Sequence, residues 1–203
     1  MKTGNRFFNL TILIAITFLI GFAACNDSYN YFNVKEALAA EQELLERYYD
    51  EEMDNGLSRL DSLTAASIDT VDHRFESGLM MFHTELGEKD QPVEAYKTVG
   101  FRYTNYAIAL QMDTLVDGVD TTFVEKTVEV FRESNEYAIS PFTFTTYPVG
   151  GVPGAGSNVF PGVNEAVLHM NLFGKAKLVL PSLIADNQYN THIFELEVTY
   201  LEQ

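Results

Sequence analysis

Apolar residues follow a helical spacing in the first part of the chain after its N-terminal segment. Between residues 34 and 55 they recur every three or four positions among Glu, Lys, Arg and Gln, which predicts an amphipathic helix. The residues on its apolar side are Val34, Leu38, Leu45 and Tyr48. Asn55-Gly56 ends this helix, and leucines at positions 57, 60 and 63 predict a second short helix before an exit at 67–72.

From Arg74 onward apolar and polar residues alternate instead, as in strands that bury one face. Asp117-Gly118 is the strongest hairpin signal in the chain. The runs with this alternation are 79–83, 99–112, 124–131, 141–144 and 194–200. We therefore predict an antiparallel sheet.

One stretch of the domain combines a turn, a helix and a strand within residues 159–181. Val159 and Phe160 end an extended segment, and Pro161-Gly162 turns the chain. A short helix follows, with Asn164 placed to contribute to its capping. The apolar positions at helical spacing are Val163, Val167 and Met170. Alternation at 175–180 predicts the returning strand.

These patterns together predict an α+β fold with two parts. Residues 73–203 form a domain in which the antiparallel sheet wraps one short helix, and residues 34–72 precede it as an N-terminal helical arm. The arm serves either as a spacer that packs its apolar stripe on the domain or as a partner or dimerisation surface.

Residues 1–24 have the composition of a targeting segment, with a basic start and an apolar run too short to span a bilayer as a helix. The run ends in Ala23-Ala24, directly before Cys25, which is the only cysteine. This resembles a bacterial lipoprotein signal, in which the cysteine becomes the acylated first residue. The resemblance implies a lipid anchor on Cys25, a tether at 25–33, and a location in the bacterial cell envelope on a periplasmic or outer-membrane face. An ordinary cleaved signal before a buried cysteine is the alternative.

The net charge argues against two classes of partner, and the cysteine count excludes an internal disulfide. A formal net charge of −16 repels nucleic acid and anionic lipid, so neither is an expected partner. A single cysteine allows no internal disulfide.

The common motifs of catalysis and cofactor binding are absent from the sequence. The four histidines (His73, His83, His169 and His192) lie far apart and lack metal-ligand spacing. The glycines at 151–156 precede Ser157-Asn158, where a phosphate loop requires Lys-Ser or Lys-Thr, and no nucleophile elbow surrounds Ser157. We therefore predict neither a metal nor a cofactor.

Residues 77–201 resemble the FKBP-type peptidyl-prolyl cis-trans isomerases. The segments similar to that family's signature are Val159-Phe160, Gly162, Met170, 174–178 and Pro181, and flanking likenesses lie at 77–79, 99–104, 141–144 and 193–198. The resemblance implies the family's fold and its activity on proline-containing polypeptides, which needs no metal or cofactor. It also implies an aromatic-lined pocket for a proline ring, whose catalytic residues here are Tyr103, Phe131, Phe142, Val159, Phe160 and Phe194.

The sequence departs from the family pattern at several pocket positions. Val163 replaces a large aromatic at the pocket floor, Arg132 replaces an aspartate, and Asp186 replaces a tyrosine. The loop at 186–194 is shorter than in the family, and the hairpin at 106–130 is longer. We expect either a lipid-anchored isomerase and folding helper, or a catalytically inactive FKBP-like lipoprotein that binds a partner or has a structural role. An unrelated antiparallel sheet is the third possibility, and the client protein and the oligomeric state are left open.

Overall fold

Seven antiparallel strands form one sheet in the computed structural model, which describes residues 33–117, 120–154 and 158–202. The strands are β1 (Asp69–His73), β2 (Leu79–Glu85), β3 (Thr98–Asp117), β4 (Asp120–Ser134), β5 (Phe142–Thr145), β6 (Lys175–Leu180) and β7 (His192–Leu201). Their order across the sheet is β1-β2-β6-β7-β3-β4, and β5 pairs with the first part of β3. The predicted antiparallel sheet is therefore confirmed.

Within the described residues, three α-helices pack on this sheet: α1 (Val34–Asp50), α2 (Arg59–Ala66) and α3 (Pro161–Val167). A turn of 3₁₀ helix, Ser182–Ile184, follows β6. Ser58 caps α2, since its side chain accepts a hydrogen bond from the backbone N–H of Asp61. Helices beside an antiparallel sheet give the α+β class that the sequence predicted.

Alternate residues of the central strands belong to two separate cores, one on each face of the sheet. Leu79 and Met81 of β2 pack with α3, whereas Met80 and Phe82 pack with Leu45, Tyr48 and Tyr49 of α1. Because successive strand residues point to opposite faces, α1 and α3 cover opposite sides. Leu45 and Tyr48 of the predicted apolar stripe are thus buried against the sheet, whereas Val34 is exposed and Leu38 is half-buried.

Two strands differ from their predicted form. Residues 67–72 were expected as an exit from the arm, but Asp69–His73 forms β1 and pairs with β2 at the edge of the sheet. β2 was expected to bury one face, but all residues from Leu79 to His83 are buried. The physical reason is that helices cover both sides of this strand.

The longest strands form a hairpin that extends past the rest of the sheet. β3 pairs with β7 as far as Ala107, and with β4 from Thr104 to Asp117. A bulge between Asn105 and Tyr106 shifts the register of the β3–β4 pairing. The two strands meet where Asp117-Gly118 predicted a hairpin; residues 118–119 lie outside the described residues.

The predicted signal segment and Cys25 also lie outside the described residues. In the part of the chain that the structure does describe, no helix has the length and apolar character needed to cross a membrane.

Candidate functional site

An aromatic-lined cavity of about 80 Å³ opens between the sheet and the N-terminal end of α3. β3, β5 and β7 supply four of its aromatic rings, β4 supplies one carboxylate, and the rest comes from α3 and the three residues before it. The residues that line it are Phe101, Tyr103, Glu133, Phe142, Asn158, Val159, Phe160, Val163 and Phe194.

The aromatic rings contact one another around this cavity. The ring centroid of Phe101 lies 5.3 Å from that of Phe142 and 5.7 Å from that of Tyr103. Phe194 continues the wall, with its centroid 5.5 Å from Tyr103 and 5.9 Å from Phe160. Tilted and edge-on rings at such distances attract one another, so the walls are held in shape before any ligand arrives.

The close packing of α3 fixes the floor of the cavity. Pro161 occupies the first turn of α3, where a backbone N–H would make no hydrogen bond within the helix, so proline is tolerated there. A Cβ on Gly162 would come within 2.9 Å of the side-chain ends of Leu180 and Ile184, so a larger residue there would require these side chains to shift. Val163, one residue later, is 2% exposed and lines the cavity. A small residue therefore stands at the position where the family resemblance implied a large aromatic.

A buried amide anchors the loop that leads into the site. Asn164 was predicted to contribute to helix capping, but Phe160 is the N-cap residue and no side chain caps α3. Asn164 instead accepts a hydrogen bond from the backbone N–H of Tyr147 at 3.0 Å and donates one to its carbonyl at 2.8 Å. These bonds satisfy both backbone groups of Tyr147 and attach that end of the loop to α3.

Five of the six predicted pocket residues line the cavity, and Phe131 does not. Phe131 is 60% exposed and packs edge-on against Tyr106, with centroids 6.3 Å apart. The bulge in β3–β4 explains this placement, because it pairs Tyr106 with Phe131 and Asn105 with Glu133. Glu133 lines the cavity. Arg132, which stands where the family has an aspartate, does not line it.

The tyrosine hydroxyl in the cavity lies in an environment that disfavours its ionisation. Burial raises the pKa of Tyr103, and the charge of Glu133 and a hydrogen bond to it raise the pKa further. Tyr103 is therefore a neutral hydrogen-bond donor at neutral pH and well above it.

Behind the cavity wall, Asp186 stands where the family resemblance implied a tyrosine, and it contacts His192. His192 Nε2 lies 3.0 Å from Asp186 Oδ2, and its Nδ1 lies 3.2 Å from Asn105 Oδ1. The imidazole ring packs on Phe160 and Phe194, with centroids 5.3 and 6.1 Å away. Asp186, which does not line the cavity, is thus linked to the cavity wall through His192.

Sequence reasoning missed three lining residues. Phe101 precedes Tyr103 by two positions on the same strand face, which is a signal that could have identified it. No sequence pattern indicated Glu133, because the bulge decides which way its side chain points. None indicated Asn158 either, which lies in the loop before Val159. Taken together, the lining groups can hold an apolar ring beside a tyrosine hydroxyl that is hydrogen-bonded to Glu133.

No protein-family model and no curated protein matches this chain. Among solved structures, the chain is similar to FkpA from Escherichia coli, with a TM-score of 0.49 and 16% identity, over 99% of this chain and 74% of that chain. It is also similar to a peptidyl-prolyl cis-trans isomerase from Pseudomonas syringae pv. tomato, with a TM-score of 0.41 and 16% identity, over 84% of this chain and 97% of that chain.

Proposed function

We propose that this protein is an FKBP-type peptidyl-prolyl cis-trans isomerase that acts as a folding helper. The observation that carries the proposal is the small cavity walled by the rings of Tyr103, Phe142, Phe160 and Phe194. A proline side chain is a compact apolar ring, and aromatic walls at contact distance bury it with little polar desolvation. The sequence resemblance to the isomerase family points to the same ligand.

The reaction needs binding and desolvation more than reactive side chains. Rotation about a peptide bond has a barrier of about 18–20 kcal/mol because resonance favours the planar, polar amide. The two isomers of an X-Pro bond are similar in energy, and they exchange over roughly tens to hundreds of seconds without a catalyst. An apolar cavity disfavours the polar planar amide relative to the twisted transition state, so the barrier falls.

The test is catalysis of a refolding reaction that is limited by proline isomerisation. The purified full chain in detergent should accelerate the slow phase at micromolar concentration. Phe142→Ala and Phe160→Ala should each lower kcat/KM by about tenfold or more, since losing ~1.5 kcal/mol of ring contact corresponds to roughly a factor of ten.

Phe131→Ala is the matched control for these variants. It removes the same ring from an exposed site outside the cavity, so catalysis should be retained. An unaccelerated slow phase in the presence of well-folded wild-type chain would rule out the isomerase. Equal losses in all three variants would show that the cavity is not the active site.

We further propose that acylated Cys25 anchors the protein in the bacterial cell envelope. The sequence of the N-terminal segment supports this, and stable anchoring follows when more than one acyl chain is attached. Cys25→Ser should abolish incorporation of labelled fatty acid and release the protein from the membrane fraction. Continued membrane association of the unlabelled variant would contradict the proposal.

A binding module without turnover is the second candidate, and the long hairpin favours it. Leu110, Met112 and Phe123 are all exposed on one face of the β3–β4 hairpin. A protein partner would cover such apolar side chains. Met112→Ser with Phe123→Ser should then abolish capture of one defined partner and leave proline isomerisation unchanged. Loss of isomerisation in this double variant would instead assign the hairpin to the catalytic function.

A further inference from the structure

Three side chains with metal-ligating atoms meet beside α3, on the side of the helix away from Val163. Glu165 lies in α3, and His169 follows four positions later in the turn after the helix, so the two occupy the same side. His73 comes from the end of β1, far away in the sequence. The ligating atoms of all three lie within 4.8 Å of one another. Two of the four histidines that looked isolated in the sequence, His73 and His169, are therefore brought together by the fold.

The contacts within the cluster orient its members. His73 Nδ1 lies 2.8 Å from Glu165 Oε1, and the Ser77 hydroxyl donates a 2.8 Å hydrogen bond to the same oxygen. The imidazole rings of His73 and His169 are edge-on, with centroids 5.3 Å apart. Ser77 is thus an outer partner that fixes the carboxylate, as hydrogen-bonded groups around metal sites commonly do.

The cluster is held at its base and open to solvent on one side. The Glu165 side chain is 6% exposed, that of His73 is 30% exposed, and His169 is exposed. A cation could enter from the histidine side and still find a buried, fixed carboxylate. The charge of Glu76 also acts on His73, which favours a cation over an anion at this place, whereas Asp72 is paired with Arg74 at 2.7 Å.

We propose that His73, Glu165 and His169 form a binding site for a divalent transition-metal ion of the Zn²⁺ class. Two imidazoles and one carboxylate are a donor set that suits zinc, with water in the fourth position. Bonds of about 2.0–2.2 Å in a tetrahedron place ligand atoms about 3.3 Å apart, so small side-chain rotations bring the three groups to that spacing. Mg²⁺ and Ca²⁺ prefer more oxygen ligands than this cluster offers.

The site would join α3 to the turn between β1 and β2. Glu165 lies two residues after Val163, so the bound ion would hold the helix that forms the cavity floor. The metal proposal does not depend on the isomerase proposal, because binding can be measured without any assay of catalysis.

Calorimetric titration of the chelator-treated full chain with ZnCl₂ tests the proposal. We expect one Zn²⁺ bound per chain, and a folding equilibrium favoured about 100-fold when free Zn²⁺ is at 100 times its dissociation constant. His169→Ala should weaken binding by about tenfold or more, and because this side chain is exposed the variant should fold normally. Glu165→Gln should have a similar effect, with the unfolding transition of the metal-free variant measured in parallel.

Glu43→Gln is the matched control, since it removes an exposed carboxylate from α1 and should leave Zn²⁺ binding unchanged. Three results would overturn the proposal. The first is the absence of any heat of binding when Zn²⁺ and the chain are each at about 100 µM. The second is binding of equal strength in the wild type and His169→Ala, and the third is equal affinity for Ca²⁺ and Zn²⁺. The first would leave the cluster as an ion pair that attaches α3 to β1, and the other two would indicate adventitious binding to the acidic surface.

Discussion

The two faces of the sheet are covered in different ways. On one face α1 and α2 lie across the strands, and Tyr48 of α1 is fully buried with its hydroxyl donating to Glu129 at 2.6 Å. On the other face α3 has only seven residues, and beside its first turn an aromatic-walled cavity of about 80 Å³ stays open. The long helix buries large side chains such as Tyr48, and the cavity of about 360 Å³ beside α2 on that face has no aromatic lining, whereas the cavity beside the short α3 is walled by aromatic rings.

The comparison predicts a separation of effects. Substitutions under α1 should lower the free energy of unfolding and leave the catalytic rate of the folded protein unchanged. Substitutions in the cavity should lower catalysis with a smaller effect on stability. The following changes test this separation, beginning with the largest expected effect.

Tyr48→Ala should lower the free energy of unfolding by about 3–5 kcal/mol, because it empties a fully buried aromatic site. Tyr48→Phe keeps the ring and should lose only about 1.5 kcal/mol, since Glu129 also accepts hydrogen bonds from Lys177. Urea unfolding measures both values. A loss of catalysis in the folded Tyr48→Phe protein would break the separation between the faces.

Glu41→Ala should lower the free energy of unfolding by about 3 kcal/mol. The buried Glu41 carboxylate of α1 accepts hydrogen bonds from the backbone N–H and the hydroxyl of Ser182 and from the hydroxyl of Thr191. Alanine leaves these donors without their acceptor, whereas Glu41→Gln retains an acceptor oxygen and should lose about 1 kcal/mol. The urea midpoints of the two variants measure the difference, and equal midpoints would contradict this account of the arm.

Asn164→Ala should lower the free energy of unfolding by about 2 kcal/mol and also weaken catalysis severalfold. It removes both hydrogen bonds to the backbone of Tyr147, and the loop that leads to Asn158 and Val159 loses its attachment to α3. KM should rise more than kcat falls, because the cavity wall is less well ordered. Asn164→Asp keeps the acceptor for the Tyr147 N–H and should be the milder change; unaltered KM in both variants would separate the loop from the site.

Tyr103→Phe should have the smallest effect, less than about threefold on kcat/KM, because the ring that forms the wall remains. The raised pKa of Tyr103 keeps its hydroxyl protonated at neutral pH and above, so this group should add no pH dependence to wild-type catalysis between about pH 6 and 9. Matched rate profiles of the two proteins over that range check the point. A basic limb in the wild type that is absent from the variant would contradict it.

Local patterns could predict the elements but not how they are covered. Alternation identified β2, yet Met80 and Phe82 between its predicted core positions show that helices lie on both sides. Helical spacing identified α3, but Asn164 accepts a hydrogen bond from the backbone N–H of Tyr147 instead of capping the helix. This partner depends on the path of the loop, which local patterns do not give.

The family resemblance indicated Tyr103 and Phe194 as pocket residues, and the regular alternation of β3 and β7 places both on one face of the sheet. The positions of Phe131 and Glu133 were not predictable, because a one-residue bulge in β3–β4 decides which side chain of β4 reaches the cavity. The His73, Glu165 and His169 cluster was likewise hidden, since β1 and α3 meet only in the folded chain.

The most direct test of the central claim is an NMR titration of the full chain with a short proline-containing peptide and with the same peptide carrying alanine instead. The account predicts that the proline peptide alone shifts the methyl resonances of Val159 and Val163 and the amide resonance of Phe160. Exchange between the peptide's cis and trans signals should become faster at the same time. Equal shifts with both peptides, or shifts confined to the β3–β4 hairpin, would contradict the assignment of the cavity as a proline site.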